Sequence, residues 1–139
     1  MLNHFAKHQQ NTESSYEAGG QLFARFVGNQ VRIEKATGPR PADRRSRFLF
    51  IPDRRQEQQE IDEMHRKGLH FVGDWHTHPQ PTASPSYSDL RSIKDVFSRS
   101  KHNLNGFVMI IVGSDDFPAA LHISLHSATA ECRLVPEER

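Results

Sequence analysis

The stretch that decides the fold is residues 71–89, which read FVGDWHTHPQPTASPSYSD. Its first part, residues 71–75, is a short apolar run that predicts a strand. Three prolines among small polar residues follow and predict a loop. From Ser86 onward the sequence predicts a helix, because apolar residues recur with helical spacing and charged residues occupy the positions between them. A strand, a loop and an amphipathic helix in this order favour an α/β domain.

Two histidines and one aspartate in this stretch have the spacing of metal ligands. On an extended strand, residues i and i+2 point to the same side, so His76 and His78 face one ion. Pro79 ends the strand because it has no N–H to donate. Asp89 falls in the first turn of the predicted helix, where the positive end of the helix dipole favours a carboxylate. Two imidazoles and one carboxylate leave the fourth position of a tetrahedral zinc ion to water, so the pattern predicts one catalytic Zn2+ ion.

Ser86 and Asp89 also have the spacing of a capping box, in which two residues satisfy each other's backbone N–H groups at a helix start. This structural interpretation competes with metal ligation for the aspartate. The two interpretations are compatible, and the nearby histidines favour ligation.

The rest of the sequence alternates strands with one further helix. Strands are predicted at residues 21–27, 30–36, 48–51, 106–112, 119–125 and 130–135. Residues 56–67 predict a helix closed by Gly68. The run 106–112 is the most apolar in the chain and predicts a central strand buried on both faces. The sum is an α/β domain in which a mixed, bent sheet packs between two main helices.

Length and composition exclude several classes of protein. The chain has 139 residues and a formal net charge of +1, which suits one domain and gives no global attraction to nucleic acid or to a membrane. The single cysteine, Cys132, excludes an internal disulfide framework, and no apolar run approaches the roughly 18 residues of a membrane span. Residues 1–7 lack the basic and apolar blocks of a signal peptide. These features predict a cytoplasmic protein.

The motif that begins at His76 also resembles that of a known family. It reads HTHP, six further residues and then SYSD, which resembles the JAMM signature of the MPN-domain (JAB-type) zinc metalloproteases. A second, independent part of the resemblance is Glu17, which lies just before the pair Gly19 and Gly20, as a glutamate does on an early strand of family members. Together the two parts cover most of the chain.

The resemblance implies a fold and a role for each site residue. It implies one MPN domain over residues 13–135, after an N-terminal extension of residues 1–12. The zinc ligands would be His76, His78 and Asp89. Glu17 would accept a proton from the attacking water and pass it to the leaving amine, while Ser86 would donate a hydrogen bond to the oxyanion.

Neighbouring residues compete for two of these roles. Glu13 competes with Glu17 for proton transfer, and the glycine pair that follows Glu17 favours the latter because it permits close approach of the backbone. Ser84 and Ser88 compete with Ser86, whose spacing from the ligand aspartate favours it.

The form of the motif is most similar to that of short prokaryotic members, especially the stand-alone proteases of bacterial ubiquitin-like conjugation and CBASS anti-phage systems. This implies an isopeptidase or peptidase that hydrolyses the bond after the C-terminus of a ubiquitin-like modifier. The nearest alternative trims the tail of a sulfur-carrier protein with the same catalytic atoms. Two others are a RadC-like protein, which is typically longer, and a non-catalytic MPN scaffold, which usually loses ligands that this chain keeps.

Histidines and arginines outside the motif are predicted to lie on the surface. His122 and His126 alternate with apolar residues, which predicts solvated positions on a half-exposed strand. The histidines without a partner at ligand spacing are His4, His8, His65, His70 and His102. A nucleic-acid patch usually has a wider footprint or interleaved stacking aromatics. The arginine-rich stretch 40–55 is diluted by nearby acids, so it favours a solvated loop or a protein-docking surface.

Overall fold

The computed structural model describes residues 1–135 of the chain. Within them the chain forms three helices and eight strands. The helices are α1 (Leu2–Ala6), α2 (Arg54–Arg66) and α3 (Tyr87–Arg99). The strands are β1 (Gly19–Val27), β2 (Gln30–Ala36), β3 (Arg44–Ser46), β4 (Leu49–Ile51), β5 (His70–Thr77), β6 (Phe107–Val112), β7 (Leu121–His126) and β8 (Glu131–Leu134). Every strand and helix predicted from the sequence is present, and the sequence did not predict α1 or β3.

Six strands form one mixed sheet in the order β2-β1-β5-β6-β7-β8. Neighbouring strands are antiparallel except β5 and β6, which are parallel and are joined through α3. All but one residue of β6 are buried, which confirms the predicted central strand. Strands β3 and β4 form a separate two-stranded hairpin. The mixed α/β class predicted from the sequence is confirmed.

Both main helices begin at a side-chain cap. The N-cap of α2 is Asp53, whose carboxylate accepts the N–H of Gln56 at 2.9 Å. The helix ends before Gly68, where the backbone has a φ of +79°, a conformation that favours glycine. The N-cap of α3 is Ser86, and the capping box with Asp89 is present, which confirms that part of the sequence interpretation.

The hydrophobic core places the main helices against the strand that carries the motif. Phe71 of β5 packs against two clusters, one with Met64 of α2 and one with Ile93 of α3. A third cluster contains Trp75, and Phe5 of α1 packs on that indole with 5.0 Å between ring centroids. Phe5 is only 1% exposed, so the first residues pack into the domain. The boundary between residues 12 and 13 stays a prediction.

The prediction that His122 and His126 are solvated is wrong, since they are 8% and 1% exposed. They lie opposite Ile111 and Phe107 of β6, on the face of the sheet that packs against α3. Burial lowers the pKa of both imidazoles, and Ser124 Oγ lies 2.6 Å from His126 Nε2. The alternation along β7 is as predicted, but a helix covers the face that was expected to meet water.

Arg40 is likewise buried, which corrects the prediction of a solvated arginine stretch at this residue. Its guanidinium pairs with Glu60 of α2 and lies 3.6 Å from Asp43. Burial alone would lower the pKa of Arg40, but the hydrogen bond and the charge of Glu60 raise it above its usual value. The exposed arginines of the stretch are Arg44, Arg54 and Arg55.

The other histidines divide into two groups. His65 and His70 are exposed, as predicted, whereas His4, His8 and His102 are half-buried. Within residues 1–135, none of the helices combines the length and the apolar character that a bilayer crossing needs.

Candidate metal centre

The predicted metal ligands converge at the carboxyl end of β5. His76 lies in β5, and His78 follows the last residue of the strand, with its N–H donating to Val112 O at 3.0 Å. Asp89 is in the first turn of α3. Its Oδ1 lies 3.2 Å from His76 Nε2 and its Oδ2 lies 3.1 Å from His78 Nε2, while the two Nε2 atoms are 3.1 Å apart.

These three contacts fit a cation better than they fit hydrogen bonds. A neutral imidazole nitrogen either donates or accepts. If His76 and His78 both donate to Asp89, their two N–H groups face each other; if one donates to the other, a lone pair faces the carboxylate. A metal ion satisfies all three atoms at once, and the separations are close to the roughly 3.3 to 3.5 Å expected between neighbouring ligands of tetrahedral zinc. The donor set therefore fits the metal that the motif implies.

The charge state of Asp89 agrees with this arrangement. Burial opposes ionisation of the carboxyl group, but the adjacent imidazoles of His76 and His78 and the hydrogen bond from the N–H of Ser86 outweigh it, so the pKa of Asp89 lies well below its usual range. The carboxylate is therefore ionised at neutral pH.

Glu17 lies beside the two imidazoles. A carboxylate oxygen of Glu17 and one ring nitrogen each from His76 and His78 lie within 4.8 Å of one another. Burial raises the pKa of Glu17, and the two histidines partly oppose that rise. The competing residue, Glu13, is exposed and does not line the cavity that holds these groups.

The glycines after Glu17 allow β1 to approach its surroundings closely. A Cβ on Gly20 would lie 1.7 Å from Thr37 O, the same carbonyl that accepts the indole N–H of Trp75 at 2.8 Å. A Cβ on Gly19 would lie 2.8 Å from Trp75 O. Side chains at these two positions would collide with the residue after β2, with Phe50 of β4 and with Trp75 of β5, so β1 would have to shift and Glu17 would move with it.

The serines at the start of α3 also face the site. Ser86 and Ser88 line the cavity, whereas Ser84 does not. Ser86 Oγ accepts the N–H of Asp89 at 3.0 Å. A hydroxyl has one proton to donate and two lone pairs, so the proton of Ser86 is left free for another acceptor.

All five predicted site residues line one cavity of about 370 Å³. They are Glu17, His76, His78, Ser86 and Asp89. The hairpin of β3 and β4 forms part of the rim through Phe48, Leu49 and Phe50, and Phe48 is 72% exposed. No pattern in the sequence predicted that this hairpin would border the site.

Two further acids line the same cavity, and sequence analysis missed both. Burial, with the nearby charge of Glu57, raises the pKa of Asp74 to about 7. Burial also raises the pKa of Glu57. Asp74 lies two residues before His76 on β5, so the strand period that placed the ligands on one face predicts this carboxyl group there as well. No comparable signal exists for Glu57.

The fold is that of the JAB class of domains, and the chain belongs to the Prok-JAB family, the prokaryotic homologues of the JAB domain. The sequence pattern of that family matches residues 1–124. The JAMM/MPN resemblance drawn from the motif is therefore confirmed at the level of the family.

Three curated relatives have informative names. The chain is 34% identical over 129 residues to a CD-NTase/cGAS isopeptidase of Pseudomonas aeruginosa, covering 89% of this chain and 77% of the relative. It is 33% identical over 102 residues to a protein of the same name from Enterobacter hormaechei, covering 71% of this chain and 56% of the relative. It is 36% identical over 72 residues to a probable metalloprotease of Sinorhizobium fredii, covering 49% of this chain and 44% of the relative. These relatives support a hydrolase of the JAB type.

Two solved structures share the fold. A protein from Desulfitobacterium hafniense matches with a TM-score of 0.58 and 19% identity, and one from Salinibacter ruber matches with a TM-score of 0.56 and 24% identity. Each match covers 96% of this chain and 84% of the other. The similarity supports the single-domain mixed α/β architecture.

Proposed function

We propose that this protein is a zinc-dependent isopeptidase or peptidase that hydrolyses the bond after the C-terminus of a ubiquitin-like modifier. The observation that carries the proposal is the convergence of two imidazole nitrogens and a carboxylate at separations of 3.1 to 3.2 Å, with Glu17 beside them. Three protein ligands leave one position open on tetrahedral zinc, which is typical of catalytic sites. Relatives named isopeptidase and probable metalloprotease support the same class.

In this proposal, His76, His78 and Asp89 hold the metal. Bound zinc lowers the pKa of water to about 7 and polarises the scissile carbonyl. A carboxylate oxygen of Glu17 accepts the proton of the attacking water and delivers it to the nitrogen of the leaving amine. General base catalysis by a positioned carboxylate contributes roughly 10² to 10⁴ in rate. The raised pKa of Glu17 supports this role, because it makes the carboxylate a stronger base.

Ser86 stabilises the oxyanion of the tetrahedral intermediate in the same proposal. Its Oγ already accepts the N–H of Asp89, which fixes the orientation of the hydroxyl group. The remaining proton is available to a developing negative charge. Ser88 also lines the cavity and is the competing donor.

The hairpin of β3 and β4 provides a surface for the modifier tail. Within residues 1–135, strand β4 has one edge without a strand partner, whereas β3 also contacts Glu17, whose N–H donates to Ser46 O. An extended tail can pair with such an edge through main-chain hydrogen bonds, which tolerate sequence variation. Leu49 and the exposed ring of Phe48 add apolar contact area at the rim of the cavity.

The proposed target of the modifier is a CD-NTase, because two of the relatives described above are named CD-NTase/cGAS isopeptidases. The protein would then act in an anti-phage conjugation system, where it removes a modifier that is attached through its C-terminal carboxylate. The sulfur-carrier alternative predicts instead that a short C-terminal extension is removed.

A cleavage assay tests the proposal. Zinc-loaded protein is incubated with a modifier–CD-NTase conjugate and, separately, with the modifier carrying a short C-terminal peptide. We expect mass spectrometry to show free CD-NTase and a modifier that ends in a free carboxylate. Cleavage of the peptide extension alone would favour the trimming alternative. If both substrates stay intact while the Pseudomonas aeruginosa relative cleaves the conjugate, the proposed function is refuted.

The metal is tested in the same assay. Removal of metal with EDTA is expected to abolish cleavage, and one equivalent of Zn2+ is expected to restore it. Restoration by another divalent ion but not by zinc would contradict the choice of metal, since first-row ions compete for such ligands.

A further inference from the structure

Gln10 is a buried polar residue in the segment that precedes β1, and it is 3% exposed. Its side-chain amide contacts three separate parts of the chain. Gln10 Oε1 accepts the hydroxyl proton of Thr77 at 2.9 Å, and Nε2 donates to Ser15 O at 3.2 Å and to Arg47 O at 2.8 Å. One side chain therefore joins the motif strand, the loop before Glu17 and the tip of the hairpin.

Thr77 lies between the two proposed histidine ligands. Side chains alternate along a strand, so its hydroxyl points away from the imidazoles, to the rear of the metal centre. The residue is fully buried. Its Oγ1 accepts the N–H of Ala18 at 2.9 Å, and its own N–H donates to Ala18 O at 2.8 Å. The hydroxyl group thus accepts from Ala18 and donates its proton to Gln10, so both of its hydrogen-bonding roles are filled.

The backbone of Glu17 is held by the same two elements that Gln10 joins. Its N–H donates to Ser46 O at 2.7 Å, and its carbonyl accepts from Arg45 Nε at 2.8 Å, so β3 holds the backbone of Glu17 on one side. The next residue, Ala18, is bound to Thr77 on the other side. Arg47, whose carbonyl accepts from Gln10, is the residue after β3.

We propose that Gln10 is a positioning residue that sets the distance between Glu17 and the metal ligands, and that also anchors the hairpin at the rim of the cavity. The inference rests on the proposed function, in which Glu17 is the general base. The contact through Thr77 controls the position of Glu17 and therefore affects kcat. The contact with Arg47 O controls the position of the hairpin. It acts on KM because the hairpin binds the substrate tail, and it also reaches Glu17 because β3 holds the backbone of that residue.

Two single substitutions separate the contacts. Thr77→Val removes the hydroxyl at nearly constant volume and is expected to lower kcat by about 10- to 100-fold, the usual effect of losing a group that orients an active-site residue, with KM unchanged. Gln10→Glu keeps an acceptor for Thr77 but puts a carboxyl oxygen in place of the donor to Ser15 O and Arg47 O, and is expected to raise KM, a change that Thr77→Val should not produce. Thr77→Ser retains the hydroxyl group and should restore kcat.

Gln9→Ala is the matched control for Gln10→Ala. Gln9 Nε2 also donates to two backbone carbonyls, Gly113 O at 2.9 Å and Asp115 O at 2.8 Å, but these are remote from Glu17 in the hydrogen-bond network. Both variants lose a pair of hydrogen bonds to carbonyls. Only Gln10→Ala is expected to lower kcat/KM, whereas Gln9→Ala should retain it.

A second measurement does not depend on turnover. Amide hydrogen exchange at Ala18 and Glu17 is expected to speed up at least tenfold in Gln10→Ala and to be unchanged in Gln9→Ala. Unchanged exchange at both amides in Gln10→Ala, or equal kcat/KM in the two glutamine variants, would overturn the positioning role. If the wild-type protein cleaves no conjugate, the proposed function fails, and exchange at Ala18 still decides whether Gln10 holds this strand.

Discussion

Asp89 Oδ2 accepts the N–H of Ser86 at 2.8 Å while it lies 3.1 Å from His78 Nε2. One carboxylate oxygen therefore takes part both in the start of α3 and in the candidate metal centre. The two tasks can be separated by substitution, because the cap needs only an acceptor, whereas zinc favours an anionic ligand.

Asp89→Asn is expected to keep the helix and lose the metal. The amide oxygen can still accept from Ser86, so the free energy of unfolding of the metal-free protein should change by less than about 1 kcal/mol, the usual size of a capping effect. Zinc affinity should fall by at least tenfold. Asp89→Ala removes both functions and should lower both quantities. Competitive chelator titration and urea unfolding measure them, and unchanged zinc affinity in Asp89→Asn would exclude Asp89 as a ligand.

Glu17→Gln is expected to abolish turnover and leave the fold and the metal content intact. Loss of a general base costs roughly 10² to 10⁴ in kcat, and glutamine has nearly the same size as glutamate. Glu13→Gln is the matched control, because Glu13 is exposed and outside the cavity. Steady-state kinetics with metal analysis measure both effects. Full activity in Glu17→Gln would remove this residue from the mechanism.

Ser86→Ala is expected to affect both rate and stability. Loss of one oxyanion donor costs about 10² to 10³ in kcat, and loss of the N-cap costs about 1 kcal/mol of folding free energy. Ser86→Thr retains a hydroxyl group and should recover most of the kcat and most of the folding free energy. Ser84→Ala, which alters an exposed residue outside the cavity, is the control. A normal kcat in Ser86→Ala would assign the oxyanion contact to another donor.

Gly20→Ala is expected to destabilise the protein strongly, because the new Cβ would lie 1.7 Å from Thr37 O. Overpacking of this kind costs about 1 to 3 kcal/mol, and more where backbone must move. Gly28→Ala is a useful contrast, since Gly28 has a φ of +59° but no atom within 4 Å of the new Cβ. It should cost about 1 to 2 kcal/mol through its dihedral angle alone. Urea unfolding that ranks Gly28→Ala as the more damaging change would contradict the close packing of β1.

Asp74 should make stability depend on pH. Its pKa is about 7 in the folded protein and about 3.9 in an unfolded chain, so between these values the folded state holds a proton that the unfolded state has lost. The contribution of Asp74 to the free energy of unfolding therefore falls as the pH rises from about 4 to about 7. The fall is about 1.4 kcal/mol for each unit by which the folded and unfolded pKa values differ. Above about pH 7 the contribution is constant.

Asp74→Asn tests this dependence. The stability of the variant relative to the wild type should rise between about pH 4 and about pH 7 and then level off, because asparagine does not titrate. Urea unfolding of both metal-free proteins across this range gives the difference directly. A difference that does not vary with pH would show that Asp74 titrates normally.

The ligand set could be predicted because it is local. His76 and His78 lie on one strand and Asp89 lies at the start of the next helix, so strand period and capping pattern suffice to place all three near one point. Glu17 is distant in sequence, and only the family resemblance indicated it. Asp74 lies on the same face of β5 as His76, so the strand period alone is sufficient to predict its position.

The remaining features depend on which elements cover which faces. His126 has the alternation of a half-exposed strand, and only the packing of α3 over β7 shows that it is buried. Arg40 is buried because Glu60, which is remote in sequence, supplies a partner. The role of Gln10 could not be predicted from its neighbours in the sequence, because the fold brings its three contacts together from separate parts of the chain. Periodicity carries no information on such long-range contacts.

The proposed metal ligands come from the short stretch 76–89, whereas the proposed base lies on the amino-terminal side of β1. A molecule from which a contaminating protease has removed residues 1–18 would lack the base but keep every ligand. Such molecules would count as full metalloprotein in an elemental analysis and contribute nothing to turnover. Metal stoichiometry therefore gives only an upper bound on the competent fraction of a preparation, and intact mass must be checked before specific activities are compared.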